Sequence, residues 1–276
     1  MDGSPESSQS QASPAAPGKP VSARVPAANP FLKPPSRAPW GFWSTVILGL
    51  AFVFFSMCVV PTIAGSLPLD WIENVAGIRS WDLHGHSSIY QNVATTIKVA
   101  VCLPVILLMT RVQGFSLREY CNLNRPRPRS ALLCLVLMAG LVWATHEFFR
   151  LAGWWKRGSY SYDYVTSGWL VLEFVGGTLM APFVEEVFWR GFVFKGICES
   201  KAGPLAAVAT TALFWAAQHT QYDLAGRAII FILGLFLGTV RYMTHSTAVT
   251  IFLHGAYNFY IFFSILMFVE FGIKLL

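Results

Sequence analysis

The chain has 276 residues, 54% hydrophobic and 12% charged, with a mean hydropathy of +0.51. A soluble domain carries about a quarter charged residues, so this composition, with apolar runs of about 20 residues, excludes an ordinary soluble protein and points to a polytopic membrane protein. The net charge of +6 then bears on orientation and lipid headgroups, and gives no case for a nucleic-acid partner.

Residues 1–39 contain nine prolines among Ser, Ala and Gly. Such a segment cannot bury enough apolar surface to order itself, and it lacks the form of a cleavable signal peptide. A disordered cytoplasmic tail is expected there, followed by a transmembrane domain over residues 40–276. The first span is expected at about residues 43–66 and the second at about 90–110. The second carries Lys98, whose plainest reading is a lysine snorkelling to an interface, the other being a residue that lines the site. The loop that follows holds Arg111, Arg118, Arg125, Arg127 and Arg129 against Glu119 alone. By the positive-inside rule that loop is cytoplasmic, which puts the N-terminus inside and the loop with Asp70, Glu73, Arg79 and Asp82 outside.

A third span at about residues 130–149 ends in His146, Glu147 and Arg150, the last two spaced i,i+3 to pair on one face. An aromatic loop with Trp154, Trp155 and Tyr160 suits the outer interface. The remaining spans are expected at about residues 169–198, 204–220 and 225–242, with a last apolar stretch over 246–271 that is one helix or two. The fold class is therefore all-α, a membrane helical bundle of seven or eight transmembrane helices. There is no internal repeat to support a transporter. The cysteines (Cys58, Cys102, Cys121, Cys134 and Cys198) are scattered, without metal-ligand spacing, and read as small apolar fillers.

The fourth span holds Glu185, Glu186 and Arg190 where ionisable groups are expensive and mark function by default. Glu186 and Arg190 are i,i+4, stack on one helix face and neutralise each other. Glu185 points about 100° away and is left available as a general base. Pro182 cannot donate to the carbonyl of Thr178 and so can kink the helix beside the glutamates. Glu185 lies 17 residues before Ala202 and His219 lies 17 after it. In an antiparallel hairpin turning near residues 199–204 the two side chains come level. His254 and Asn258 are again i,i+4 on one face, an arrangement that fits an oxyanion-stabilising pair. The chemistry suggested is hydrolysis, with Glu185 and His219 polarising water, and no Ser or Cys is placed as a nucleophile.

Glu185-Glu186-x-x-x-Arg190, Trp215-x-x-x-His219 and His254-x-x-x-Asn258 together resemble the three motifs of the CAAX protease and bacteriocin-processing (CPBP, or Abi) family. These are intramembrane glutamic endopeptidases related to the Ras-converting CAAX endopeptidases. The resemblance covers a catalytic core at about residues 169–260, with a weaker likeness at Leu123 and Arg125. Position 215 departs from the family, which usually has Phe where this chain has Trp. The resemblance implies that Glu185 and His219 activate water, that His254 and Asn258 form the oxyanion hole, and that Glu186 and Arg190 support them. It implies a peptide or protein substrate, lipidated or membrane-anchored. The chain is expected in a bacterial cytoplasmic membrane with its N-terminus inside, and with no cofactor.

Two other readings compete. Glu185, Glu186, His219 and His254 are all possible zinc ligands, but there is no H-E-x-x-H helix and Arg190 already occupies one carboxylate, so metal dependence is disfavoured. In the other, a non-catalytic immunity or partner-binding protein keeps the polar cluster as structural glue.

Overall fold

The computed structural model describes residues 39–66, 88–154, 171, 174–220 and 222–271. The expected tail, the loop from Asp70 to Asp82 and the loop residues from Trp155 to Asp163 lie outside the described residues. Among the described residues all regular structure is helical: α1 (Phe42–Phe54), α2 (Val60–Gly65), α3 (Ser88–Val112), α4 (Leu117–Tyr120), α5 (Pro128–Leu151), α6 (Ala181–Glu186), α7 (Phe194–Cys198), α8 (Gly203–Gln218), α9 (Leu224–Thr244) and α10 (Thr247–Phe271). Three π-helical segments, Phe55–Val59, Phe174–Met180 and Val187–Val193, join helices into longer runs.

Five spans are long and apolar enough to cross a membrane: Phe42–Ile63, Ala94–Val112, Pro128–Leu151, Leu224–Thr244 and Thr247–Met267. Among the described residues five of the expected spans meet that measure of length and apolar composition, and two expected helices fall outside it, one for its charges and one for its length. The run from Phe174 to Cys198 carries Glu185, Glu186, Arg190 and Lys195, and α8 has 16 residues, about 24 Å of helix against a hydrocarbon core of about 30 Å. The last apolar stretch is the single helix α10.

The run Phe174–Cys198 is the axis of the bundle. Every residue from Val187 to Val193 is buried, and its rings stack outward: Phe188 on Phe52 of α1 at 3.7 Å, and Phe192 on Tyr120 of α4 at 5.4 Å. Two glycines let neighbours come this close. A Cβ on Gly191 would lie 2.7 Å from Cys121 Cβ, and one on Gly196 would collide with Thr45. The Glu147–Arg150 pair forms on α5 at 2.6 Å, as its spacing suggests.

Local caps set where helices begin. Ser116 and Glu119 form a reciprocal capping box at α4, and Asp223 Oδ1 accepts from Gly226 N at 2.9 Å to start α9. The loop after α4 is stitched to the α9–α10 turn. Thr247 N donates to Asn122 O, Thr247 Oγ1 to Cys121 O, and Ser246 Oγ to Asn124 O. Lys195 Nζ lies over the rings of Phe115 and Tyr120. The arginine-rich loop, the end of α7 and the α9–α10 turn thus share one end of the bundle.

Candidate active site

The site helix changes register twice around the glutamates. In the i,i+5 register of Phe174–Met180, the Gly177 carbonyl would take its hydrogen from residue 182, a proline without an N–H. Asn258 Nδ2 on α10 donates to that carbonyl instead, at 2.8 Å. The carbonyl expected from α-helical spacing was that of Thr178; the wider register moves the vacancy by one residue. Packing is close here, since a Cβ on Gly255 would lie 3.1 Å from the Thr178 carbonyl oxygen. On the far side, the Arg190 carbonyl stands next to the return to α-helix at Phe194, and Arg241 Nε donates to it at 2.9 Å.

The two adjacent glutamates live in different surroundings. Glu186 is fully buried. Its Oε1 accepts from Arg190 at 2.7 Å and from His254 Nδ1 at 3.0 Å, so the expected neutralised pair forms and His254 joins it. The Arg190 guanidinium also lies 4.4 Å above the Trp215 ring, and its second nitrogen donates to Gly234 O at 3.4 Å. Glu185 keeps 16% of its side chain exposed. It is nevertheless not the unpaired carboxylate that helix geometry suggested: Lys98 Nζ lies 3.2 Å from Oε1, and Trp215 Nε1 donates to Oε2 at 2.9 Å. Lys98 thus turns inward to a partner rather than snorkelling, because an ammonium in an apolar span gains more from a nearby carboxylate than from a stretched reach to the interface.

His219 sits just past the end of α8. Its backbone N–H turns to Ala216 O at 3.2 Å, and the ring Nδ1 caps the Trp215 carbonyl at 2.7 Å. A carbonyl only accepts, so Nδ1 carries the hydrogen and the neutral ring presents the Nε2 lone pair. The same logic applies to His254, whose Nδ1 faces a carboxylate. Its Nε2 is an acceptor in the neutral ring and a donor only in the imidazolium. Trp215 binds the group together: its ring meets His219 edge-on at 5.3 Å and His254 at 5.1 Å.

The fold therefore brings Glu185, Glu186, Arg190, His219 and His254 around one indole, while Asn258 is held one turn along from His254 by the Gly177 carbonyl. Two residues that meet the cluster were not among the expected catalytic or supporting residues, although Trp215 stands in the second motif. Lys98 had a visible signal, a lone charge in an apolar run; Trp215 had one in its departure from Phe. Beside the cluster, an apolar cavity of about 630 Å³ is lined by Val99, Thr178, Phe183, Gly255 and Phe259 among others. Cys121 packs against Gly191, and burial pushes its thiol up to about 12 despite the opposing charges of Arg241 and Lys195, so it stays a protonated filler. Among the described residues no group of three or more His, Cys, Asp or Glu side chains is placed to hold a metal ion.

All three motifs fall in one matched segment. Residues 167–260 match the type II CAAX prenyl endopeptidase Rce1-like family. The match covers about a third of the chain and agrees with the family that the motifs resemble. It supports a CAAX-type membrane protease with a peptide or protein substrate, and the five apolar spans support a membrane protein. No curated protein and no solved structure matches the chain.

Proposed function

We propose that the chain is an intramembrane glutamic endopeptidase that cleaves a peptide bond with water activated by Glu185 and His219. The observation that carries this reading is the inequality of the two glutamates: one is sealed with an arginine, and its neighbour stays open with His219 nearby. The Glu185 carboxylate has lone pairs beyond those facing Lys98 and Trp215. A water bonded to Glu185 and to His219 Nε2 gives a proton to the carboxylate as its oxygen attacks the scissile carbonyl carbon. The carbonyl π electrons move to oxygen. That oxyanion is met by the second N–H of the Asn258 amide and by an Nε2–H of His254, a donor that the ring offers when it also carries Nδ1–H toward Glu186. The intermediate then collapses, the C–N bond breaks, and the leaving amine takes the proton from Glu185.

The apolar cavity has the size of a ligand site, and its lining residues Gly255 and Phe259 follow His254 and Asn258 directly in sequence, which fits a lipidated or membrane-anchored substrate. The basic end of the bundle faces the cytoplasm by the positive-inside rule, so the N-terminus lies inside. A bacterial cytoplasmic membrane is the setting that this reading adopts. Purified protein in nanodiscs, given a farnesylated quenched-fluorescent CAAX peptide, should cleave it and lose that activity in Glu185→Gln. Cleavage that survives Glu185→Gln removes the proposed water activation. Activity lost to a chelator and restored by zinc would make the enzyme a metalloprotease.

A further inference from the structure

Lys98 is 87 residues from Glu185 in sequence and lies outside the segment that carries the family motifs. We infer that Lys98 is a positioning residue of the site, acting with Trp215 as a two-donor clamp on the Glu185 carboxylate. The inference rests on the reading of Glu185 as the group that activates water.

The two donors come from different helices and grip different oxygens. Lys98 on α3 lies 3.2 Å from Oε1, and Trp215 on α8 donates to Oε2 at 2.9 Å. A glutamate carboxylate otherwise turns readily about its last torsion, whose wells are broad and roughly two-fold. Holding each oxygen from a separate helix fixes the plane of the group and therefore where its remaining lone pairs point. The indole donor is itself rigid, with Arg190 over its face and the two histidine rings at its edges. The lysine donor is held by charge. With side chains 24% and 16% exposed, the pair is more weakly screened than an ion pair in open water. Misplacement of a reacting group by about 1 Å can cost about 10²-fold in rate, which is the scale on which such a clamp acts.

The test uses the full-length protein in nanodiscs with the farnesylated CAAX peptide, measuring kcat and KM separately for Lys98→Met, Lys98→Arg, Trp215→Phe and Glu185→Gln. Lys98→Met keeps reach and removes the donor. It is expected to lower kcat by about tenfold or more with KM changed less than about twofold, and Lys98→Arg should recover most of the loss. Trp215→Phe keeps the ring and should lower kcat in the same way, and Lys98→Met with Trp215→Phe should fall short of the product of the single losses because both act on one carboxylate. If Glu185→Gln is inactive while Lys98→Met keeps its kcat, the clamp is wrong and the hydrolytic reading stands. If Glu185→Gln remains active, the reading beneath both is gone. Thermal unfolding supplies a readout without turnover: Lys98→Met and Glu185→Gln should be non-additive, and strictly additive shifts would overturn the pairing.

Discussion

Helix α5 and the run Phe174–Cys198 are both long helical passes through one bundle, yet they are built on opposite terms. α5 buries Ala131, Met138, Thr145 and Phe149, a single narrow stripe, and turns Leu132, Leu133, Val136 and Leu137 outward. Its exposed side chains need only be apolar, because lipid tails accept any of them. The other run has no outward face from Val187 to Val193. Each side chain there must match a neighbour in shape or charge. That enclosure is also what makes room for Glu186 and Arg190, since lipid never meets them. Fully buried charge thus sits where packing is tightest, whereas the charged pair of α5, Glu147 with Arg150, is exposed at the end of its helix.

Substitutions can break or sharpen that contrast. The largest effect is expected from Glu185→Gln, which should lower cleavage of the CAAX peptide by about 10²–10⁴-fold while keeping the fold, with only the drop in melting temperature that unpairing Lys98 brings, as read by turnover and by thermal unfolding side by side. A loss of fold in this variant would make Glu185 a structural residue instead. Next comes Arg190→Met, which leaves the Glu186 carboxylate with only the His254 Nδ1 contact in a site with no exposure. A cost of about 3–5 kcal/mol is expected, and Glu186→Gln added to Arg190→Met should recover part of it in denaturant titrations.

A smaller loss belongs to Gly191→Ala. Its new methyl would enter the space of Cys121, an overpacking cost of about 1–3 kcal/mol. Cys121→Gly should relieve it in the double variant, and the two changes would prove independent if it did not. The smallest effect is expected on α5, where Leu133→Val should stay within about 0.5 kcal/mol by the same titration. A large loss at Leu133 would mean that this face is covered by protein.

Much of the candidate site was legible because its spacing is local. Glu186 with Arg190, and His254 with Asn258, share faces through i,i+4 periodicity alone, and the hairpin count brought Glu185 level with His219. Less legible was what each group would bond to. His254 turns to Glu186 and Asn258 to the Gly177 carbonyl, both contacts between helices far apart in sequence. The Asn258 partner depends further on a π-helical register that ends at Pro182. Hydrophobic periodicity carries no signal for that register, because Phe174–Met180 is apolar or small on every side, at buried Thr178 and Gly176 and at exposed Leu179 alike.

The sequence by itself determined a membrane-bound all-helical protein, the segment in which its charges concentrate, and which glutamate is bound to an arginine. These follow from composition and from the geometry of a single helix. Only the tertiary structure decided that Glu185 is gripped by Lys98 and Trp215, and that His254 directs its Nδ1 to Glu186 while His219 caps the Trp215 carbonyl. Those outcomes depend on which helices pack side by side, and a lysine in an apolar run has no local feature that names the carboxylate it will meet.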